Sequence, residues 1–521
     1  MAKFVTANEA AELIDNGSTI AIGGFGSYCG PDALLEALEQ RFLKTGKPVN
    51  LTTFTGVSNG AFELADVGMN RICHEGLIGT IIAGHLGNAP KLSAMAAQNL
   101  AAAYTIPLGV VMNLYRSIAS KKPGVITTIG LGTFADPRVE GCKINEKAIT
   151  QNRDVVKLIK LDGKEYLFYP SFPIDICFIR GTYADELGNV SMIHDALTGA
   201  ELEIAEATHN SGGIVIVQVE KLLKTGSMAA KEIRIHHSLV DYITVVDREL
   251  STECYSTTEY RPELSGEFLC PTQSMTPLDF TIRKLIARRA VMELEDHKII
   301  NLGIGLPSGV GKVANEEGIE CLMSLESGPL GGIPLEGLEF GASQNPECIK
   351  TICDTFDLYD GGFLDITFLG AGQIDEQGNV NVSRFGEKCT GPGGFIDISQ
   401  NTKKVFFLSS FSIGNTKIVL SENGLDIQKD GARGKFVKKV SQITFSAEYA
   451  RKTGQQVYYI TERAVFKLVK EGIMLIEIAP GVDLNKDIFD KMEFRPSVSA
   501  QLKLMDMHLF QDKKMEIQQR T

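Results

Sequence analysis

Ser18 to Pro31 reads S-T-I-A-I-G-G-F-G-S-Y-C-G-P, and this stretch sets the expected fold. Ile20 and Ile22 alternate as in a short buried strand, while Asp32–Leu43 (D-A-L-L-E-A-L-E-Q-R-F-L) spaces its leucines for a helix. A glycine loop therefore joins a strand to a helix, with Gly24, Gly26 and Gly30 in G-x-G-x-x-x-G spacing. The device returns at Lys298, K-I-I-N-L-G-I-G-L-P-S-G-V-G-K-V-A, where Gly303, Gly305 and Gly309 keep that spacing. Neither copy is G-x-G-x-x-G, which argues against a dinucleotide loop.

A second echo supports duplication. Asp185–Ser191 reads D-E-L-G-N-V-S and Asp375–Ser383 reads D-E-Q-G-N-V-N-V-S, each after an apolar run, I-C-F-I-R-G or I-T-F-L-G-A. The path from Gly24 to Gly188 is about ninety residues longer than that from Gly303 to Gly378, so the first half carries an insertion. Strands are expected at Ile214–Val219 and Val405–Leu408, in comparable places in the two halves. Such alternation with helices predicts two related open α/β domains, with largely parallel sheets and helices on both faces. Thr6 and Glu9 have capping-box spacing for an opening helix. The Pro-, Ser- and Thr-rich stretch Glu249–Asp279 lacks apolar periodicity. The expected boundaries are 1–250 for the first domain, 251–279 for a linker and 280–521 for the second domain, opened by a helix near Leu278–Glu295. From about Leu502 the charged tail reads as a helix or frayed end.

The 521 residues are 44% hydrophobic and 22% charged, enough apolar material for large cores. A net charge of −12 without a basic run argues against nucleic acid as the main partner, though not against an anionic small molecule in a local basic pocket. Ten cysteines without any C-x-x-C suit reduced thiols and give no metal-ligand spacing. No run approaches the ~20 apolar residues of a membrane span, and the first residues lack a signal peptide's apolar stretch. A cytoplasmic protein is expected.

Met323–Pro334, M-S-L-E-S-G-P-L-G-G-I-P, holds one carboxylate, Glu326, among Ser, Gly and Pro. Gly328, Gly331 and Gly332 carry no side chain to obstruct a substrate. Glu326 is expected at a strand-to-loop tip, presented rather than buried, where a carboxylate can attack an activated acyl group.

The chain resembles the family I CoA-transferases over essentially its whole length, both halves fused, and most of all the bacterial acyl-CoA:acetate and propionate CoA-transferases. The matching stretches are I-G-G-F-G (Ile22–Gly26), G-L-G-T-F-A-D-P-R (Gly130–Arg138), F-P-I-D (Phe172–Asp175) and R-G-T-Y-A-D-E (Arg180–Glu186). They continue with N-S-G-G-I-V-I-V-Q-V-E (Asn210–Glu220), E-S-G-P-L-G-G-I-P (Glu326–Pro334) and F-G-A-S-Q-N (Phe340–Asn345). F-D-L-Y-D-G-G (Phe356–Gly362) and G-P-G-G-F-I-D-I-S-Q-N (Gly391–Asn401) complete the set. The resemblance implies that Glu326, in the second domain, attacks acyl-CoA and passes through an acyl-glutamyl anhydride and a glutamyl-CoA thioester. It implies that backbone amides of the Gly391–Phe395 loop bind the oxyanion. Pro392 has no N–H, which leaves Gly393 or Gly394. It implies that Gly24, Phe25 and Gly26 line the acyl or carboxylate pocket. Coenzyme A would be a substrate with no further cofactor, the other substrates being acyl-CoA and short-chain carboxylates such as acetate. The assembly would be a homotetramer or homodimer. One departure stands out: Leu108 lies where many members have glutamine, and leucine donates no hydrogen bond. Asn113, Asn59 and Asn381 are candidate substitutes, and Asn381 is expected to bind substrate. The alternatives are an acyl-CoA hydrolase on the same fold, in which water intercepts the intermediate, and a non-catalytic CoA-ligand-binding relative.

Overall fold

The computed structural model describes residues 2–62, 64–151, 153–247, 253–257, 259–271 and 277–517. By compactness the chain forms two units. One comprises Met1–Cys270, Leu325–Leu358 and Arg384–Asp397; the other comprises Pro271–Ser324, Tyr359–Ser383 and Ile398–Thr521.

Among the described residues the first unit carries a ten-stranded sheet. Its main path runs Lys3–Phe4, Tyr242–Val245, Ile214–Leu223, Ile176–Asp185, Thr19–Ile22, Leu51–Val57, Ile78–His85 and Ala102–Thr105. All of these neighbours pair in parallel. Ile176–Asp185 is buried almost throughout, and strands enclosed on both faces read as near-continuous apolar runs for that reason. The opening helix is Ala7–Ala11, with both hydrogen bonds of the Thr6–Glu9 capping box formed. Asp32–Thr45 is the helix after the glycine loop; it turns Leu34, Leu35 and Leu38 inward and stops at Gly46 in the left-handed conformation. These leucines join Ile20, Ile22, Ile81 and Phe178 in one core.

The second unit repeats the plan. Leu322–Met323, Ile299–Leu302, Ile366–Gly370, Lys404–Leu408 and Gln456–Ile460 form a parallel set in that order. Ala464–Val469 and Gly472–Ile478 then extend it antiparallel. Thr19–Ile22 and Ile299–Leu302 occupy the same place in the two sheets, each followed by its glycine loop. The twin D-E-x-G-N motifs make the same turn. Asp185 Oδ1 accepts the N–H groups of Leu187, Gly188 and Asn189, and Asn189 Nδ2 donates to Asp185 Oδ2. Asp375 does likewise with Gln377, Asn379 and the Asn379 amide. The surplus of the first half falls between Leu51–Val57 and Ile176–Asp185. It includes two extra parallel strands (Ile78–His85 and Ala102–Thr105), the helices Pro90–Ala97, Leu108–Ala119 and Glu146–Gln151, and a small antiparallel sheet.

Three expectations are corrected. The helix near 278–295 is shorter, Ile282–Val291. The tail is not frayed over its described part, and only one short 3-10 turn of it, Met507–Phe510, is helical: Ser497–Leu504 is a strand parallel to Gly472–Ile478, and Leu509, Phe510 and Met515 are buried. Apolar side chains buried in this way contribute about 1.5–3 kcal/mol each, which outweighs the local charge. The expected linker 251–279 also has ordered contacts where it is described; residues 251, 252, 258 and 272–276 lie outside the described set. Tyr255 N–H donates to Ser27 O, Cys29 N–H to Glu253 O, and Asn345 N–H to Glu263 O. Residues up to Cys270 accordingly fall in the first compact unit. Glu326 falls there too, and not with the bulk of the second half. Among the described residues no helix is long and apolar enough to cross a membrane.

Candidate active site

Glu326 sits in a tight turn. Gly328 N–H donates to Leu325 O (3.1 Å) and Leu325 N–H to Pro329 O (3.0 Å). The turn opens a two-step hairpin in which Pro329–Leu330 pairs with Cys348–Ile349 and Ile333–Pro334 with Ser343–Gln344. The neighbouring Ser327 hydroxyl donates to Gly341 O and ties the turn across the hairpin. Glu326 itself is partly buried, which corrects the expectation of a presented side chain. Among the described residues no hydrogen bond or ion pair reaches its carboxylate, and burial alone pushes it up to about 7. A carboxylate partly withdrawn from water, with no cation beside it, is a stronger nucleophile than one in solution.

That carboxylate rests against the Gly391–Gly394 loop. A Cβ built on Gly394 would lie 2.0 Å from Glu326 Oε2 and 2.9 Å from Phe356 Cζ, so only glycine lets the carboxylate come this close. The amides of Gly393 and Gly394 differ in their partners. Gly393 N–H is taken by Gly84 O at 2.9 Å, whereas Gly394 N–H has no acceptor among the described residues. The Gly394 N–H is therefore unengaged beside Glu326, whereas the Gly393 N–H anchors the loop. Leu86 N–H donating to Thr390 O (2.7 Å) and Leu108 N–H donating to Gly393 O (3.0 Å) complete the anchoring. Leu108 thus acts on the loop through its main chain. Its side chain is fully buried, with Cδ1 facing both Gly56 and Gly84. His85, which the sequence reading passed over, faces Gly393 and hydrogen-bonds the backbone of Gly391; burial holds its imidazole down to about 4, so it is neutral at working pH.

The glycine loop is braced from several sides. Gly24 has φ +90°, a conformation costly for any other residue, and its N–H donates to Glu201 Oε1 at 2.9 Å. Asn59, fully buried, donates from Nδ2 to Gly26 O and Tyr28 O, both at 3.0 Å, and accepts from the Tyr255 hydroxyl. Its amide is occupied in holding the loop, which removes it from the candidate oxyanion donors. Asn59→Ala leaves those buried groups unpaired at about 1–3 kcal/mol each, so a clearly lower urea midpoint is expected by equilibrium unfolding. Phe25 lies against Gly341, within 3.1 Å of where a Cβ would stand there. This brings Phe25 to the hairpin that carries Glu326. Asn88 Nδ2 approaches Gly26 in the same manner, at 2.9 Å from the added Cβ.

Glu326, Gly394, Gly24, Phe25 and Gly26 are thus gathered in the first unit. Asn113 is partly exposed on the helix Leu108–Ala119. Asn381 belongs to the second unit, where it donates to Gln373 Oε1 and accepts from Ser383 N–H, a pairing that speaks for turn structure rather than substrate binding. Behind the glycine loop a narrow cavity, with room for about one water-sized group, is lined by Ile22, Gly24, Gly56, Met112, Tyr115 and Ile352 among others.

The profile of the coenzyme A transferase family matches residues 4–246. Caffeate CoA-transferase of Acetobacterium woodii is 44% identical over 98% of both chains. Acetate CoA-transferase YdiF of Escherichia coli K12 is 40% identical over 98% of this chain and 96% of its own. The crystal structure of the acyl-CoA transferase YdiF of E. coli O157:H7, in its thioester complex with CoA, superposes with a TM-score of 0.92 at 38% identity. It covers 99% of this chain and 97% of that one. With an unpaired glutamate packed on a glycine loop and agreement of this extent along the whole length, the chain belongs to the family I coenzyme A transferases, both halves fused in one polypeptide.

Proposed function

We propose that the protein moves CoA between a short-chain acyl-CoA and a free carboxylate such as acetate, by ping-pong transfer through Glu326. The observation that carries this reading is the unpaired, partly buried Glu326 carboxylate against Gly394. A Glu326 oxygen bonds to the acyl carbon as the C–S bond breaks, its electron pair leaving on sulfur as CoA thiolate. The thiolate attacks the glutamyl carbonyl of the resulting anhydride, releasing the first carboxylate and leaving a glutamyl-CoA thioester. An acceptor carboxylate then enters and the steps run in reverse. Anhydride and thioester are both reactive acyl donors, so the thioester's activation survives, as it would not in a serine ester. Each attack places negative charge on an oxygen, and the unengaged N–H of Gly394, the glycine packed against Glu326, is the donor this reading assigns to it.

Relatives of similar identity are named for different acids, caffeate and acetate. Remote contacts with the CoA moiety would supply binding energy to the transition state.

The nucleophile must be ionised, and burial places its titration at about 7. Accordingly kcat/KM rises through that pH and falls by about tenfold per unit on the acid side. Initial rates with propionyl-CoA and acetate from about pH 5.5 to 7.5 check this. A profile flat across that range removes Glu326 as the titrating nucleophile. CoA release that needs no acetate would instead mark a hydrolase.

A further inference from the structure

Behind the glycine loop lies a carboxyl group that the transfer chemistry does not use. Glu201 begins the helix Glu201–Asn210 and is fully buried. Its Oε1 accepts the Gly24 N–H, while Oε2 is buried without a partner among the described residues. Glycines surround it. A Cβ on Gly199 would fall 1.9 Å from Oε2, and one on Gly23 would fall 3.1 Å from Oε1. Gly24, Gly199 and Ala200, which flank this carboxyl, line the narrow cavity. Its acidic neighbours hold cations of their own: Asp195 pairs with Arg180, and Glu203 with Arg116 and Arg234. Among the described residues no cation reaches Glu201. An isolated charge there would go uncompensated, so the group stays protonated.

We propose that Glu201 is a positioning residue that works uncharged, holding the Gly24 amide from behind while keeping the wall of the acceptor pocket free of negative charge. The inference rests on the transfer reading above, with Gly24 lining the acyl or carboxylate pocket, so that an anionic carboxylate enters beside this wall. An ionised Glu201 would still accept the Gly24 N–H but would repel that carboxylate. Burial, with Asp195 and Glu203 adding to it, pushes Glu201 up to about 8. The other titratable groups facing it are the Cys29 thiol and the Tyr115 hydroxyl, both pushed well above their ordinary values by burial. Glu253, reached through Asp195 and Ala196, is likewise raised to about 8 and is the rival source of any alkaline effect.

The test is the KM for acetate, with propionyl-CoA as donor, at about pH 7 and about pH 9. It is measured in the wild-type protein, Glu201→Gln and Glu253→Gln. Glutamine keeps an acceptor for Gly24 and cannot ionise. The expected result is a KM that rises about tenfold in the wild type and in Glu253→Gln, and stays level in Glu201→Gln. A purely structural Glu201 would leave the pH response of the variant unchanged, and an equal rise in both proteins overturns the proposal. Should Glu201→Gln fail to fold, a level KM in the wild type, or one levelled by Glu253→Gln, overturns it equally. A rise that persists in Glu253→Gln supports it. Absence of acetate-dependent transfer in the wild type would be a different failure, that of the glutamyl-transfer reading itself.

Discussion

Replacing Glu326 by glutamine is expected to lower CoA transfer by about 10⁴-fold or more while leaving the fold intact. Removing a covalent nucleophile costs losses of that order because the remaining groups have nothing to stabilise. The fold survives because, among the described residues, nothing hydrogen-bonds the carboxylate, so an isosteric amide breaks no contact. The turn is held instead by main-chain bonds from Leu325 and Gly328 and by Ser327 on Gly341. The check is kcat for propionyl-CoA with acetate, beside a thermal unfolding curve. A loss of only a few-fold, with an unchanged midpoint, would show that Glu326 is a binding residue.

Gly394→Ala carries the second largest expected effect. The new methyl would stand 2.0 Å from Glu326 Oε2 and 2.9 Å from Phe356 Cζ, closer than real contacts allow. Something must move, and the glutamate side chain is the part most easily displaced. Misplacing a nucleophile by about 1 Å costs about 10²-fold in rate, and disturbing an oxyanion donor costs as much again. We expect kcat to fall by about 10²- to 10⁴-fold, with overpacking lowering stability by about 1–3 kcal/mol. Gly393→Ala provides the contrast. Its methyl would meet nothing nearer than the His85 ring at 3.8 Å, so only the strain of φ +54° remains, about 1–2 kcal/mol. Equal kinetic losses from the two substitutions would contradict the assignment of Gly394 as the amide facing Glu326.

Much of the architecture was legible because it rests on local pattern. The strand before Gly24 and the leucines of Asp32–Leu43 announced strand, loop and helix, and all three stand where expected. The twin D-E-x-G-N turns were legible as a repeat, since the aspartate and asparagine bond within their own few residues. What escaped depends on partners distant in sequence. Whether Gly393 or Gly394 keeps its amide available is decided by Gly84, some three hundred residues away along the chain. Asn59 looked like a possible donor until Gly26, Tyr28 and Tyr255 claimed it. His85 offered no spacing to notice, because its relation to Gly391 and Gly393 exists only in three dimensions. The linker read as irregular because Glu253, Tyr255 and Glu263 are held by single backbone and side-chain bonds to scattered partners rather than by a periodic apolar face.

The longer first half also gains a physical reason. His85 ends the first of its extra strands, and Leu108 begins its extra helix. Together with Gly84 they hold the Gly391–Gly394 loop. The insertion is the scaffold against which the glutamate's glycine partner is fixed. The Leu108 departure is tolerable for the same reason, because what this position supplies to the loop is a main-chain N–H, available from any residue except proline.

The most direct test of covalent transfer is the intact mass of the denatured protein after mixing with acetyl-CoA, with Glu326→Gln treated in parallel. The account predicts a CoA-sized increment that maps to the peptide containing Glu326, is absent from the variant, and disappears when acetate is added in excess. An increment that maps elsewhere, or none at all with acetyl- and propionyl-CoA under conditions of confirmed turnover, would contradict it.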